Sequence, residues 1–162
     1  MSESVTNEDR VVTSVAELKE LIGQELSVGD WVEVTQERVN AFADVTGDHQ
    51  YIHVDPERAK QTFFGGTIAH GYLTLSLLPM LGANRHGIKI NLNGKMAVNY
   101  GLNKVRFPAP VRVGKRIRVH TKLIAVEELG DRAVQTTNLQ TIEIEGEEKP
   151  ACVAETLGRV YF

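Results

Sequence analysis

An aspartate and a histidine, Asp48 and His53, lie five residues apart in a short polar segment, a spacing at which they could form a proton-transfer pair. Gly47 precedes the aspartate, and Gly-Asp is typical of a turn because glycine tolerates positive φ and aspartate hydrogen-bonds its own backbone. We therefore expect a helix to end here and an irregular segment to begin at Asp48. Asp55 and Pro56 close that segment, with proline opening the next helix.

The apolar residues of this segment predict how its polar groups are presented. We expect the apolar residues to pack against a core, while Asp48, Gln50 and His53 face away from it. The apolar residues are Tyr51, Ile52 and Val54. Taken alone, Asp48 is more typical of a turn residue that ends a helix, and His53 of a semi-buried structural histidine.

A second motif, His70-Gly71, stands at the head of a run from Tyr72 to Leu81 that is apolar almost all round, as in a buried helix. The first turn of a helix has unpaired amide protons and a partial positive end, and glycine leaves them open to a ligand. His70 is interpreted as packing or hydrogen-bonding at the helix entry, without a proton-transfer role. Pro79 should bend the helix or loosen its last turn.

The rest of the chain predicts helices first and strands afterwards. Ser14 and Glu17 match a capping box, and Thr35 can cap a helix over Gln36–Val45. Residues 28–30 are interpreted as a turn and residues 82–97 as a long exposed loop. The expected strands cover residues 31–34, 98–107 with a bulge near residues 103–104, 116–126, 133–144 and 151–161.

A buried helix followed by a meander of long strands predicts an α+β fold in which an antiparallel sheet wraps around the helix. Residues 12–162 should form one domain behind a flexible tail of residues 1–11. The exposed edge strand of such a sheet favours pairing with a second copy.

Composition excludes several classes of protein. The 162 residues carry a net charge of −3, which argues against nucleic-acid binding. The single cysteine, Cys152, excludes an intrachain disulfide and a cysteine-based zinc site. His49 and His53 would face each other only on a helix, so no metal is predicted. Without a secretory signal or a membrane-spanning run, we expect a cytoplasmic protein.

Charge is distributed unevenly along the chain, because residues 58–126 contain no aspartate or glutamate. A field of one sign attracts polyanions, although these cations could equally be the solvated face of strands. The cations of this segment are Arg58, Lys60, Arg85, Lys89, Lys95, Lys104, Arg106, Arg112, Lys115, Arg116, Arg118 and Lys122.

The two motifs together, Gly47 to His53 and Ile68 to Gly71, resemble the MaoC-like (R)-specific enoyl-CoA hydratases of the hot-dog fold, over roughly residues 27–162. The resemblance implies a homodimer that needs no cofactor and adds water reversibly to trans-2-enoyl-CoA, giving (R)-3-hydroxyacyl-CoA. It implies Asp48 and His53 as the catalytic pair and the Gly71 amide as the group that holds the thioester oxygen. Gln50 and His70 are placed with Gly71 among the substrate-binding residues.

The resemblance departs from the family pattern at two positions of the loop. The family commonly has Asp-x-Asn-Pro-x-His, where this chain has Gln50 and Tyr51 in place of Asn and Pro. Gln50 still offers an amide, one methylene further out. Loss of proline leaves the loop less rigid before folding.

Coenzyme A would account for the acid-free segment, because its phosphates need Lys or Arg. The candidate phosphate ligands are Arg85, Lys89, Lys104 and Arg106. An enoyl-acyl carrier protein is the alternative partner, since its acidic surface would be steered by the same charges. Alternative functions are a hot-dog thioesterase, a non-catalytic acyl-CoA-binding protein, and one subunit of a paired dehydratase.

Overall fold

The computed structural model describes residues 10–162. Its helices are α1 (Val15–Glu20), α2 (Gln36–Thr46), α3 (Tyr51–Val54), α4 (Pro56–Ala59), α5 (Gly71–Ser76) and α6 (Leu78–Leu81). Its strands are β1 (Val11–Val12), β2 (Glu25–Gly29), β3 (Val32–Glu33), β4 (Arg85–Gly87), β5 (Lys89–Ile90), β6 (Met96–Arg106), β7 (Arg116–Leu129), β8 (Ala133–Ile144) and β9 (Cys152–Tyr161). Within this range, no helix has the length and apolar character that spanning a bilayer requires.

The strands form one large antiparallel sheet with the order β4-β2-β7-β8-β9-β6, and β3 pairs with β7 beside β2. β7, β8 and β9 follow one another in the chain and pair along most of their lengths. β1 and β5 form a separate parallel pair. This mixed α+β arrangement confirms the hot-dog fold.

The main core lies where α5 and α6 pack on one face of the sheet. Leu73 and Leu81 from these helices, with Leu77 between them, share a buried cluster with Ile117 and Ile142 from the sheet. A second cluster joins α1 to Ile88 and Leu123. The helix pair is therefore held by a sheet face and flanked by α2, which brings the segment after α2 next to the start of α5.

Several local predictions are confirmed. Ser14 and Glu17 form a capping box at α1, and the Thr35 hydroxyl accepts a hydrogen bond from the amide of Arg38. Gly47 ends α2 with φ of 76°, in the left-handed region. Asp55 caps α4, whose first residue is Pro56. β6 has a bulge between residues 102 and 105, as expected, and a second irregularity between residues 99 and 101.

Other predictions are wrong. Val28 and Gly29 lie inside β2 instead of a turn. Residues 82–97 are not one exposed loop, because they contain β4, β5 and the start of β6, and Ile88 is buried. Long-range pairing of β4 with β2 and of β5 with β1 overrides the local abundance of Gly and Asn.

The buried helix agrees with its prediction at Pro79 but is less buried than predicted. The run from Tyr72 to Leu81 is interrupted at Leu77, because Pro79 cannot donate to the carbonyl of Leu75. Tyr72 is 72% exposed and Met80 is 38% exposed, so only one face of the helix is covered within this chain.

The predicted tail also needs correction. Residues 1–9 lie outside the described residues. Val11 already belongs to β1, where it pairs with Lys89, and Val12 is fully buried. The folded part of the chain therefore begins before residue 12.

Candidate active site

The turn after α2 sets the position of Asp48. Gly47 ends the helix, and one carboxylate oxygen of Asp48 accepts a hydrogen bond from the amide of Gln50 at 3.3 Å. The Asp48 side chain remains half exposed. The predicted turn role and a chemical role are thus compatible, because the second carboxylate oxygen is not used by the turn.

His53 lies in the single helical turn α3 and is buried, although the sequence predicted that it would face away from the core. Its Nδ1 lies 2.7 Å from the carbonyl oxygen of Ile68. Because that acceptor is a carbonyl, Nδ1 carries the proton and Nε2 keeps a lone pair. Burial lowers the pKa of His53, and His70 lowers it further, while the bond to Ile68 and the charge of Asp48 act in the opposite direction.

Gln36 holds the backbone beside His53, a role that the sequence did not suggest. Its Nε2 donates to the carbonyl oxygen of His53 at 2.7 Å, and its Oε1 accepts from the hydroxyl of Thr67 at 2.5 Å. α2 and the segment before α5 are therefore both tied to α3. Gln36 thus fixes the backbone of His53, while the carbonyl of Ile68 fixes its ring.

His70 is the buried centre of the site. Its ring stacks on that of His53 with a centroid distance of 3.8 Å, and Phe42 lies against it at 5.0 Å. Its Nε2 donates to the backbone carbonyl of Asp48 at 2.9 Å. Its Nδ1 is buried and has no hydrogen-bond partner among the residues described. His70 thus contacts both members of the predicted catalytic pair.

Ligand-type atoms of Asp48, His53 and His70 lie within 4.8 Å of one another. Among residues 10–162, this is the cluster whose atoms could hold a metal ion, and it contains His70 instead of His49. His49 pairs with Asp44 at 2.8 Å on the surface. One nitrogen of each buried histidine is already engaged by a backbone carbonyl. The absence of a metal stays a prediction.

Gly71 is the first residue of α5 and directly follows His70. A Cβ at this position would lie 3.0 Å from the ring of Phe107, so the glycine allows the aromatic ring to pack on the helix start. Its amide is a first-turn group without an intrahelical acceptor. Gln50 lies at the start of α3 with an exposed side chain.

The four cations proposed for phosphate binding are not brought to one place within this chain. Arg85 lies in β4 at one end of the strand order, whereas Lys104 and Arg106 lie in β6 at the other. Lys89 lies in β5, on the separate strand pair. No shared phosphate site for all four follows from a single copy of the chain.

The acid-free segment is also less isolated than the sequence suggested. Arg118 pairs with Glu143 at 2.7 Å, and Lys115 lies 3.5 Å from Glu147. Arg116 makes a paired contact with Glu145. Antiparallel pairing of β7 with β8 supplies the acids that the linear segment lacks, so part of the charge is the solvated face of strands.

A cavity of about 660 Å³ lies between the helix pair and the sheet. Leu75, Leu78 and Gly82 line it from the helices, and they follow Gly71 at intervals of four, three and four residues. Such intervals keep one face of a helix. A group held at the Gly71 amide would therefore continue along this face into the cavity.

The sheet side of the cavity includes polar residues that the sequence reasoning missed. The sequence held one indication of this: Thr121 follows the core residues Ile117 and Val119 at two-residue spacing, which places it on the same face of β7. The polar residues are Thr121, Asn138, Gln140 and Thr156.

Residues 17–144 match the MaoC like domain. The chain belongs to this family. This MaoC-like chain is 55% identical over 150 residues to 3-hydroxyacyl-thioester dehydratase Z of Mycobacterium tuberculosis, covering 93% of this chain and 97% of that one. It is 44% identical over 150 residues to Nodulation protein N of Rhizobium leguminosarum, covering 92% of each chain.

Solved structures agree with this membership. The (R)-hydratase from A. caviae involved in PHA biosynthesis superposes on the MaoC-like chain with a TM-score of 0.64 and 27% identity, covering 85% of this chain and 94% of that one. Sequence and structure together identify an enzyme of the dehydratase/hydratase type.

Proposed function

We propose that this enzyme catalyses the reversible, (R)-specific hydration of trans-2-enoyl-CoA to (R)-3-hydroxyacyl-CoA, with Asp48 and His53 as the catalytic pair. One observation carries the proposal: the polar side-chain atoms of Asp48, His53 and His70 lie within 4.8 Å of one another. His70 directly precedes Gly71, the first residue of α5, so this cluster lies at the start of the helix. The name of the mycobacterial relative, a 3-hydroxyacyl-thioester dehydratase, supports the same chemistry in the reverse direction.

The pair can act on one water molecule held between the Asp48 carboxylate and Nε2 of His53. The water oxygen bonds to C3 of the enoyl group as the pair takes its proton, and the C2–C3 double bond opens towards the thioester. The pair then returns one proton to C2, so that water is added across the bond with atoms in balance. Positioned proton transfer of this kind contributes about 10²- to 10⁴-fold to rate.

The protonation of His53 suits the role of base. Because Nδ1 donates to Ile68, the lone pair is on Nε2. The lowered pKa of His53, caused first by burial, keeps the ring neutral near pH 7. His70 acts as a positioning residue, because it binds the Asp48 backbone and stacks on His53. Gln50 is left to orient the substrate or water from the exposed side of the loop.

The Gly71 amide stabilises the enolate oxygen that forms on the thioester. A donor aimed at a developing oxyanion contributes about 10²- to 10³-fold. The acyl chain then extends over Leu75, Leu78 and Gly82 into the cavity. This path runs from the helix start, where the thioester is held, towards the helix end.

The partners follow from the same arrangement. The thioester carrier is coenzyme A, with an acyl carrier protein as the alternative. Lys104 and Arg106 on β6, which are not among the residues that line the cavity, are the candidate phosphate ligands. The edge strand β6 exposes apolar side chains, with Met96 55% and Val98 36% exposed. We assign this edge to a homodimer contact, since an open strand edge favours pairing.

The test is an assay of purified protein with crotonyl-CoA, following loss of the enoyl absorbance and the chirality of the product. Formation of (R)-3-hydroxybutyryl-CoA is the expected result. Release of free thiol from acyl-CoA would instead identify a thioesterase. Tight binding without any turnover would identify a non-catalytic acyl-CoA-binding protein.

A further inference from the structure

The inner face of the sheet changes from apolar to polar part-way along its central strands. Directly paired residues share a face, and successive residues of one face are two apart. The first rows of this face are apolar and buried. They are Ile117 paired with Ile144, and Val119 paired with Ile142, which pairs with Cys152.

The next two rows are polar at most positions. Thr121 pairs with Gln140, which pairs with Ala154. Asn138 pairs with Thr156 on β9 and with Leu123 on β7. The four polar residues of these rows line the cavity opposite α5 and α6. The change of polarity therefore occurs where the sheet leaves the core and becomes the wall of the cavity.

The hydrogen bonds of this wall leave unused groups. The hydroxyl of Thr121 donates to Oε1 of Gln140 at 2.8 Å, which leaves the Gln140 amide nitrogen as a donor. Oδ1 of Asn138 is buried and has no partner within residues 10–162. An alkyl chain filling the cavity would cover the Gln140 amide nitrogen and leave Oδ1 of Asn138 unsatisfied, so it should bind less tightly than a ligand that hydrogen-bonds to these groups.

We propose that the acyl group bound in this cavity carries a hydroxyl group on its distal part, held by Asn138 together with Gln140 and Thr156. A hydroxyl both donates and accepts, so it pairs with the Asn138 amide in either orientation. A carboxylate lacks the donor that Oδ1 needs. This inference rests on the proposed function, in which the thioester lies at Gly71, and it adds the class of acyl chain.

The length of the helix places the hydroxyl along the chain. Leu75 and Gly82 follow Gly71 by four and eleven residues, so the cavity extends from about 6 Å to about 16 Å beyond the Gly71 position at 1.5 Å per residue. A crotonyl group, with four carbons, ends before this region. The enzyme's reaction on crotonyl-CoA is therefore independent of the polar wall.

The test measures binding of inert saturated thioesters by calorimetry. The ligands are octanoyl-CoA and its analogues with a hydroxyl on C6, C7 or C8, together with the thioester of octanedioic acid. We expect at least one hydroxylated analogue to bind tenfold or more tightly than octanoyl-CoA. Equal or weaker binding of all three hydroxylated analogues would overturn the inference, and so would tightest binding of the carboxylate, which would point to Arg85 at the cavity wall.

Variants assign the preference to the wall. Asn138→Leu should remove the preference for the hydroxylated ligand, while its circular dichroism spectrum stays that of the wild type. Thr137→Val, on the opposite face of β8, is the matched control and should change neither property. If Asn138→Leu does not fold, Thr156→Val serves in its place. A preference that survives in the folded variants would contradict the assignment.

The two proposals fail in different ways. Absence of crotonyl-CoA turnover by the wild type would refute the proposed hydratase function, whatever the cavity binds. Normal turnover with no preference for a hydroxylated ligand would refute only the inference about the cavity. The binding measurement needs no catalysis, so it decides the second question in either case.

Discussion

The rings of His53 and His70 stack with their centroids 3.8 Å apart and their planes inclined by 25°. Each ring also binds one backbone carbonyl, of Ile68 and of Asp48 respectively. The stack therefore joins the loop that carries the carboxylate to the segment that leads into α5. Two rings this close cannot both be charged without mutual repulsion, which favours a neutral His53.

The first prediction concerns pH. The proposed mechanism requires neutral His53, so kcat/KM should fall as pH decreases through the pKa of this residue, which burial holds below the ordinary value of 6.5. Since His70 also lowers that pKa, His70→Phe should move the acid limb of the profile to higher pH. The measurement is kcat/KM for crotonyl-CoA between about pH 4.5 and pH 8.

His70→Gln is the companion variant, because it keeps an N–H donor near the carbonyl of Asp48 and removes the ring. A purely structural role for His70 would lower kcat at every pH and leave the acid limb of both variants where it is in the wild type.

The second prediction concerns the catalytic pair. Asp48→Asn and His53→Gln should each lower kcat by about 10²- to 10⁴-fold, because each removes one positioned proton carrier. Circular dichroism should show that both variants remain folded. His49→Gln is the control, because the exposed His49 ring pairs with Asp44 on the surface, and this variant should leave kcat unchanged. Near-normal turnover by either variant of the pair would exclude the proposed roles.

The third prediction concerns Gly71. Its substitution by alanine places a Cβ 3.0 Å from the Phe107 ring, so the free energy of unfolding should fall by about 1–3 kcal/mol, as for an overpacked site. Chemical denaturation of Gly71→Ala, Phe107→Leu and the double variant measures this coupling.

The double variant should recover most of the stability of the Phe107→Leu protein. Its turnover should remain low, because the added methyl group still narrows the approach to the first-turn amide. Full recovery of turnover would show that this amide does not contact the thioester.

The fourth prediction concerns the edge strand. Light scattering should show a dimer, and Val98→Lys on β6 should shift it towards the monomer, since a charged residue on an open edge opposes pairing. Ile124→Lys on β7 is the matched control, because Ile124 is 37% exposed against 36% for Val98 but lies on an interior strand. A monomeric wild type, or equal effects of the two lysines, would contradict the dimer through β6.

The sequence by itself determined the local features and suggested Asp48 and His53 as the proposed catalytic pair. The capping box at Ser14, the left-handed Gly47 and the cap at Asp55 all depend on residues within four positions of one another. Capping preferences and hydrogen bonds over such short separations can be predicted from the sequence. The alternation of the long strands likewise predicted the antiparallel sheet.

Only the tertiary structure decided which distant groups meet. The bond of His70 to Asp48 joins residues 22 positions apart, and that of His53 to Ile68 joins residues 15 apart. The polar wall of the cavity forms because the strand register places Asn138 beside Thr156, and because the fold places both residues opposite α6. Such contacts depend on the path of the backbone between the partners, which no local pattern encodes.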